Sequence, residues 1–202
     1  MERILNYLRE TYRPLAIVVY GSFADGSNGD FSDFDALVVT AGGERAHDDA
    51  VLDGTPLDVF VWPRAMLDAA DPDELLPVKD GVALYDPQDV GAALIARVRA
   101  WWEALPLRTE EERREDVAWC EKMLHRAQRG DAEGLYRRHL LLTESLTVWC
   151  GVSGLRFEGP KKSLRCLHEL DPAGFACYER ALLDRSDEAL RDWVEHLRRR
   201  LR

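Results

Sequence analysis

The sequence predicts a two-part α/β (α+β) protein, with a strand-bearing N-terminal domain over residues 1–88 and an all-α helical bundle over residues 89–202. Three observations lead there. Short apolar, β-branched runs separated by Gly, Pro, Asn and Asp clusters fill residues 15–86 and then stop. From Pro87 onward the apolar residues recur at helical spacing instead. The charge divides at nearly the same place: residues 1–100 carry 18 acidic and 8 basic side chains, residues 101–202 carry 19 of each, and the formal charge of −10 is all N-terminal. At 202 residues, 46% hydrophobic and 32% charged, the chain has the length and apolar content to bury a core in one or two globular domains.

Along the chain, residues 1–13 read as a helix, with Ile4, Leu5 and Leu8 among charged neighbours. Strands follow at residues 15–20, 34–40, 50–52, 57–62 and 82–85, with a short helix at 64–70. Asp53-Gly54-Thr55-Pro56 carries hairpin-turn residues, so the strands on either side of it are expected to be antiparallel neighbours. Helices are predicted at 87–103, 109–129, 132–150 and 161–170, with two more between 172 and 202. Thr109 and Glu112 form a capping-box signature, and Gly130 marks the stop that folds one helix back on the next. Trp101, Trp102, Trp119, Trp149 and Trp193 are assigned to packing.

Composition excludes several function classes. The longest apolar run is six residues, 15–20, against the roughly 20 a membrane helix needs. The first ten residues have no apolar h-region, and a cytoplasmic location is the expectation. Cys120, Cys150, Cys166 and Cys177 include no C-x-x-C pair and read as reduced thiols. An N-terminal half this acidic repels a phosphate backbone, which disfavours nucleic acid and favours a cation site.

The chemistry concentrates in residues 18–39. An apolar strand ends in Gly21-Ser22, a polar loop follows, and the next strand opens with Asp33-Phe34-Asp35. Residues i and i+2 of a strand share a face, so Asp33 and Asp35 present two carboxylates side by side. Asp58 interrupts the apolar stretch Leu57-Asp58-Val59-Phe60-Val61, where a charge is costly unless paired, exposed or metal-bound. Three carboxylates on adjoining strands repel one another, and a hard, oxygen-seeking cation such as Mg²⁺ relieves that repulsion. Gly21 allows phosphate oxygens to approach the backbone, and Ser22 adds a hydroxyl. The parts suit metal-assisted phosphoryl or nucleotidyl transfer.

Gly21-Ser22, a ten-residue spacer, Asp33-Phe34-Asp35 and a later strand aspartate, Asp58, together resemble the polymerase-beta-like nucleotidyltransferase superfamily over about residues 15–62. The resemblance is to the minimal members and to those similar to kanamycin and lincosamide nucleotidyltransferases. It implies a small mixed sheet flanked by helices. It also implies a nucleoside triphosphate, ATP by preference, held by Gly21, Ser22 and Ser32, and Mg²⁺ or Mn²⁺ held by Asp33, Asp35 and Asp58. Asp58 would double as a base near the attacking hydroxyl. Many short members carry Arg where this chain has Asp25.

In the helical half, Gly159-Pro160-Lys161-Lys162 resembles a segment of the antibiotic-type enzymes, which implies phosphate contacts from Lys161 or Lys162 and a substrate or lid role for the bundle. Kanamycin-type enzymes place a helical Glu near the accepting hydroxyl, and the resemblance offers Glu144, inside the apolar stretch of residues 141–146, as a second candidate base, with Glu121 in a comparable position. Buried, it would have a raised pKa; the alternative is a Glu paired to an Arg or facing water. The five histidines show no ligand spacing and are read as structural or exposed. The expected activity is transfer of a nucleoside monophosphate, AMP by preference, to a hydroxyl of a small molecule such as an antibiotic. Two alternatives are adenylylation of a protein, as in antitoxin-type members, and non-catalytic nucleotide binding. Antibiotic-modifying relatives also imply a homodimer.

Overall fold

The computed structural model describes residues 1–184 and 186–201, so Arg185 and Arg202 lie outside the described residues. The chain divides into two compact units, Met1–Leu105 and Pro106–Arg202.

The first unit is a mixed sheet of six strands among the described residues, covered by helices. Its elements run α1 (Glu2–Tyr12), β1 (Ala16–Val19), α2 (Ser22–Asp25), β2 (Phe34–Thr40), β3 (Ala46–Asp48), β4 (Val51–Leu52), β5 (Thr55–Pro63) and α3 (Arg64–Ala69). A 3₁₀ segment (Pro72–Asp80), β6 (Val82–Tyr85) and α4 (Val90–Ala104) complete it. The strand order is β3-β5-β2-β1-β6, with β4 also paired to β5. Only β2 and β5 are parallel; the other pairs are antiparallel. Asp53 and Gly54 take φ of 53° and 83°, the paired positive values of a tight hairpin turn between β4 and β5.

The central strands read as continuous apolar runs because both faces of the sheet are buried. Ile17, Val19, Phe34, Ala36, Val38 and Val59 pack with Ile4 and Leu8 of α1 on one face. On the other, Ala16, Val18, Leu37, Val39 and Trp62 pack with Leu67, Leu75, Val78, Leu94 and Val98.

The last two of those residues belong to α4, so the first unit extends to Leu105 and not to residue 88. Helical periodicity marks α4 as a helix but does not say which core its apolar face joins. Gly91 decides that: a Cβ there would lie 3.0 Å from Val18 Cγ2 and 3.2 Å from Ala16 Cβ, so the glycine lets α4 press directly on the sheet. Asp86 ties the helix start to the end of β6 by accepting from the backbone N–H of Gly91 at 3.0 Å and of Ala92 at 2.8 Å. The strand β3 was not predicted. Ala46 and His47 are exposed, so this edge strand has no apolar alternation to read.

The second unit holds α5 (Glu110–Ala127), α6 (Ala132–Val152), α7 (Pro160–Leu170), α8 (Pro172–Asp184) and α9 (Asp187–Arg200). The Thr109 and Glu112 capping box is formed, with hydrogen bonds of 3.2 and 2.8 Å. Trp149 and Trp193 are fully buried in its core. The four cysteines are free thiols, two of them buried.

The unit is fastened by Asp171, a buried carboxylate that accepts from Trp149 Nε1 (3.0 Å), His196 Nε2 (2.7 Å) and the Gly174 N–H (3.0 Å), with Arg200 Nη1 at 3.0 Å. Burial pushes its pKa up, but the bonds from His196, Gly174 and Trp149 outweigh this and hold it below the ordinary carboxylate value. The stabilisation is therefore present above the unfolded-state pKa and is lost as pH falls through the lower folded-state one. Asp171→Asn is expected to lower stability by about 2 kcal/mol at pH 7, the worth of charge-assisted bonds weakened to neutral ones. Urea unfolding at pH 7 and pH 3 checks this, the difference shrinking at the lower pH.

Candidate functional site

The site grows from the end of β1. Tyr20 donates its backbone N–H to Asp35 O at 3.1 Å, keeping the chain beside β2 for one residue past the strand. Gly21 then turns it away with φ 64° and ψ −149°, a conformation essentially reserved to glycine. Space demands glycine as well, because a Cβ at this position would fall on the Asp35 carboxylate. Ser22, half-buried, opens the single turn α2. Asp25 Oδ1 accepts from the Ser27 N–H at 3.0 Å. Gly29 and Ser32 close the following loop with two bonds of 3.0 Å, one of them to the Ser32 hydroxyl oxygen.

The loop delivers Asp33 to the start of β2. Asp35 lies two residues on, and the parallel pairing of β2 with β5 sets Asp35 directly beside Asp58. One carboxylate oxygen from each of Asp33, Asp35 and Asp58 lies within 4.8 Å of the others. Asp33 is exposed and the other two are half-buried. The three predicted metal-ligating residues are thus brought together. What unites them is strand register, which places residues 23 apart in sequence opposite one another.

The electrostatics follow from that crowding. The Asp35 carboxyl is pushed up from its ordinary value of 3.8 to about 6, first by burial and then by the charges of Asp33 and Asp58. The Tyr20 hydroxyl is pushed up by burial and by Asp58 and Asp35, so it stays protonated and available as a donor at neutral pH. Three carboxylate oxygen donors that repel one another, two of them on the paired strands β2 and β5, fit a hard divalent cation.

Spacing gave no signal for His47. The pairing of β3 with β5 brings its Nε2 to 2.6 Å from Asp58 Oδ1. The other predicted residues lie in the second unit. Glu144 is exposed on α6, not buried, because Leu141, Leu142, Ser145 and Leu146 take the inward face and leave residues 143 and 144 outside. Glu121 is exposed on α5 for the same reason, Cys120 and Met123 taking the inward positions. The burial expected to suit either glutamate as a base is absent. Lys161 and Lys162 open α7; Lys161 is exposed, and Lys162 Nζ lies 3.7 Å from Glu158 Oε2.

The family model described as nucleotidyltransferase domain matches residues 1–122. The chain belongs to that family. The nucleotidyltransferase match takes in the whole first unit, with Gly21, Ser22 and all three aspartates, and ends within α5. No curated protein matches the chain.

Among solved structures, the chain is similar to a nucleotidyltransferase-like protein from Exiguobacterium sibiricum 255-15, at 15% identity and a TM-score of 0.44, over 98% of this chain and 71% of that one. It is also similar to a spectinomycin adenyltransferase from Enterococcus faecialis with ATP and spectinomycin, at 13% identity and a TM-score of 0.40, over 99% of this chain and 96% of that one. A toxin–antitoxin structure with AMP-PNP matches 58% of this chain and 95% of that one, at 19% identity and a TM-score of 0.35. Among the described residues no helix of this nucleotidyltransferase is long and apolar enough to cross a membrane.

Proposed function

We propose that this nucleotidyltransferase moves a nucleoside monophosphate, AMP by preference, from a nucleoside triphosphate to a hydroxyl of a small molecule and releases pyrophosphate. The observation that carries the reading is the convergence of the Asp33, Asp35 and Asp58 carboxylates within 4.8 Å. Asp33, Asp35 and Asp58 would hold Mg²⁺ or Mn²⁺, which supplies charge neutralisation for the attacking and leaving oxygens of an in-line displacement. Gly21, lacking a side chain, leaves the backbone after β1 open to phosphate oxygens, and the Ser22 hydroxyl is available to donate to them. Ser32 holds the loop that presents Asp33. In the reaction the acceptor oxygen bonds to the α-phosphorus and the α–β phosphoanhydride bond breaks. The hydroxyl proton passes to a carboxylate oxygen of Asp58, and pyrophosphate departs.

Charge argues against a nucleic-acid acceptor. With 18 acidic against 8 basic side chains in residues 1–100, the half that carries the site repels a polyanionic acceptor.

The test is pyrophosphate release by purified protein with Mg²⁺ and each of the four NTPs, against pooled aminoglycosides and lincosamides. An acceptor-free reaction and the double variant Asp33→Ala/Asp35→Ala serve as controls. Release that requires both an acceptor and the two aspartates supports the proposal. NTP label that ends up on protein replaces it with protein modification. Metal-dependent nucleotide binding without release in any mixture rejects transfer.

A further inference from the structure

Asp58 sits on the exposed face of β5 and shares that face with Phe60, two residues on. β3 pairs antiparallel with β5 and sets His47 opposite Phe60, where the two rings stack with centroids 4.7 Å apart and planes 27° apart. From there the imidazole edge reaches diagonally to Asp58, with Nε2 2.6 Å from Oδ1. A carboxylate oxygen only accepts, so Nε2 carries the proton and donates.

The strand under His47 is itself held. Asp48, next in sequence and buried on the opposite face, accepts from the hydroxyls of Tyr7 at 3.0 Å and Tyr12 at 2.8 Å, both on α1, and from the Ala50 N–H at 3.1 Å. The ring is thereby fixed by a stacked neighbour on its face and by a strand anchored to α1.

The bond is half-exposed, with 46% of the His47 side chain and 39% of Asp58 accessible to solvent. A pair in that setting contributes little to stability. Its effect falls on where Asp58 points. Asp35 and Asp33 repel Asp58, and nothing in the torsions of a half-exposed aspartate prevents it from rotating away from them. An N–H fixed on Oδ1 opposes that rotation and leaves Oδ2 and the second lone pair of Oδ1 for a cation.

We infer that His47 is a positioning residue: it holds Asp58 in the carboxylate cluster before the metal arrives, so that binding does not have to turn the side chain back against its neighbours. The inference rests on the metal-assisted reading of the site. Its test includes readouts that do not depend on turnover.

In metal-free protein, long-range ¹H–¹⁵N spectra of the imidazole are expected to show the Nε2–H tautomer for His47, and Asp58→Ala is expected to abolish that preference. His47→Ala should weaken Mn²⁺ binding, followed by electron paramagnetic resonance, by about tenfold. The value of kcat should fall by a similar factor, while KM for the nucleotide stays within about twofold. His47→Gln, whose amide N–H reaches the same oxygen, should recover both to within about threefold of wild type.

Wild-type Mn²⁺ affinity and kcat in His47→Ala overturn the inference. So does a His47→Gln variant as impaired as His47→Ala, which would give the ring a packing role alone. A wild-type protein that turns over no nucleotide defeats the functional proposal, yet the tautomer and Mn²⁺ measurements still decide the role of His47.

Discussion

Asp35→Asn is expected to reduce pyrophosphate release by about 10³-fold or more, because it removes one charge from the centre of the three-carboxylate cluster to which the proposed function assigns the divalent cation. Asp35 is the member to choose, since its carboxylate is crowded both by Asp33, just ahead of β2, and by Asp58 across the β2–β5 pairing. The same variant should be more stable than wild type when metal is absent. With a folded-state pKa of about 6 against an ordinary 3.8, the folded protein binds the Asp35 proton more tightly than the unfolded chain does.

The wild type therefore loses stability as pH rises between those two values, and above the higher one the full penalty of an ionised, crowded carboxylate is present. Half-exposure screens part of that penalty. In metal-free buffer at pH 8 the melting temperature of Asp35→Asn should exceed that of wild type by about 2–4 °C, and at pH 4 the two should coincide. Added Mg²⁺ should stabilise the wild type and leave the variant nearly unmoved. Undiminished release from the variant would remove Asp35 from the reaction. A lower melting temperature at pH 8 would mean that the crowding is relieved in another way.

Gly21→Ala is expected to cost about 1–3 kcal/mol in stability and to reduce kcat by about 10²-fold or more. Two independent reasons combine. The φ of 64° with ψ of −149° is a backbone conformation that alanine adopts only under strain, and the new methyl group would overlap the Asp35 carboxylate. The carboxylate must swing out of the cluster or the chain must leave its path after β1. Either movement dismantles the site.

Gly26→Ala separates the two causes. Gly26 also has positive φ, 73°, but a Cβ there meets nothing within 4 Å. It should lose about 1 kcal/mol and keep its kcat and Mn²⁺ affinity. Urea unfolding with steady-state kinetics on both variants checks the pair, and equal kinetic losses would show that backbone strain, not the overlap with Asp35, is the cause.

The parts of this protein that could be read from sequence are those whose physics is local. Five of the six described strands announced themselves as short apolar runs between turn residues, and the Asp53-Gly54 hairpin did so through two residues that tolerate positive φ. Helix α5 of the second unit carried its own cap, Thr109 with Glu112. The site was legible because Gly21-Ser22 and Asp33-Phe34-Asp35 bracket one loop, and because a charge within the apolar run at Asp58 calls for a reason.

What could not be read depends on which surfaces meet. Glu144 looked buried from its neighbours in sequence, but a helix turns 100° per residue, so Leu142 and Ser145 face inward while Glu144 does not. Helix α4 looked like part of the bundle because periodicity identifies a helix without identifying its partner; the packing of Leu94 and Val98 in the sheet core, with room made by Gly91 against Val18 and Ala16, assigns it to the sheet. His47 gave no signal because a polar edge strand has no pattern, and its meaning comes from a pairing with a strand that follows it in the chain.

By itself the sequence determined most of the elements and singled out the three carboxylates that converge, consequences of backbone sterics and short-range polarity. The tertiary structure decided that β2 and β5 run parallel with Asp35 beside Asp58, that α4 closes the sheet, and that His47 grips Asp58. These are matters of register and burial between segments distant in sequence, set by the packing of the whole unit.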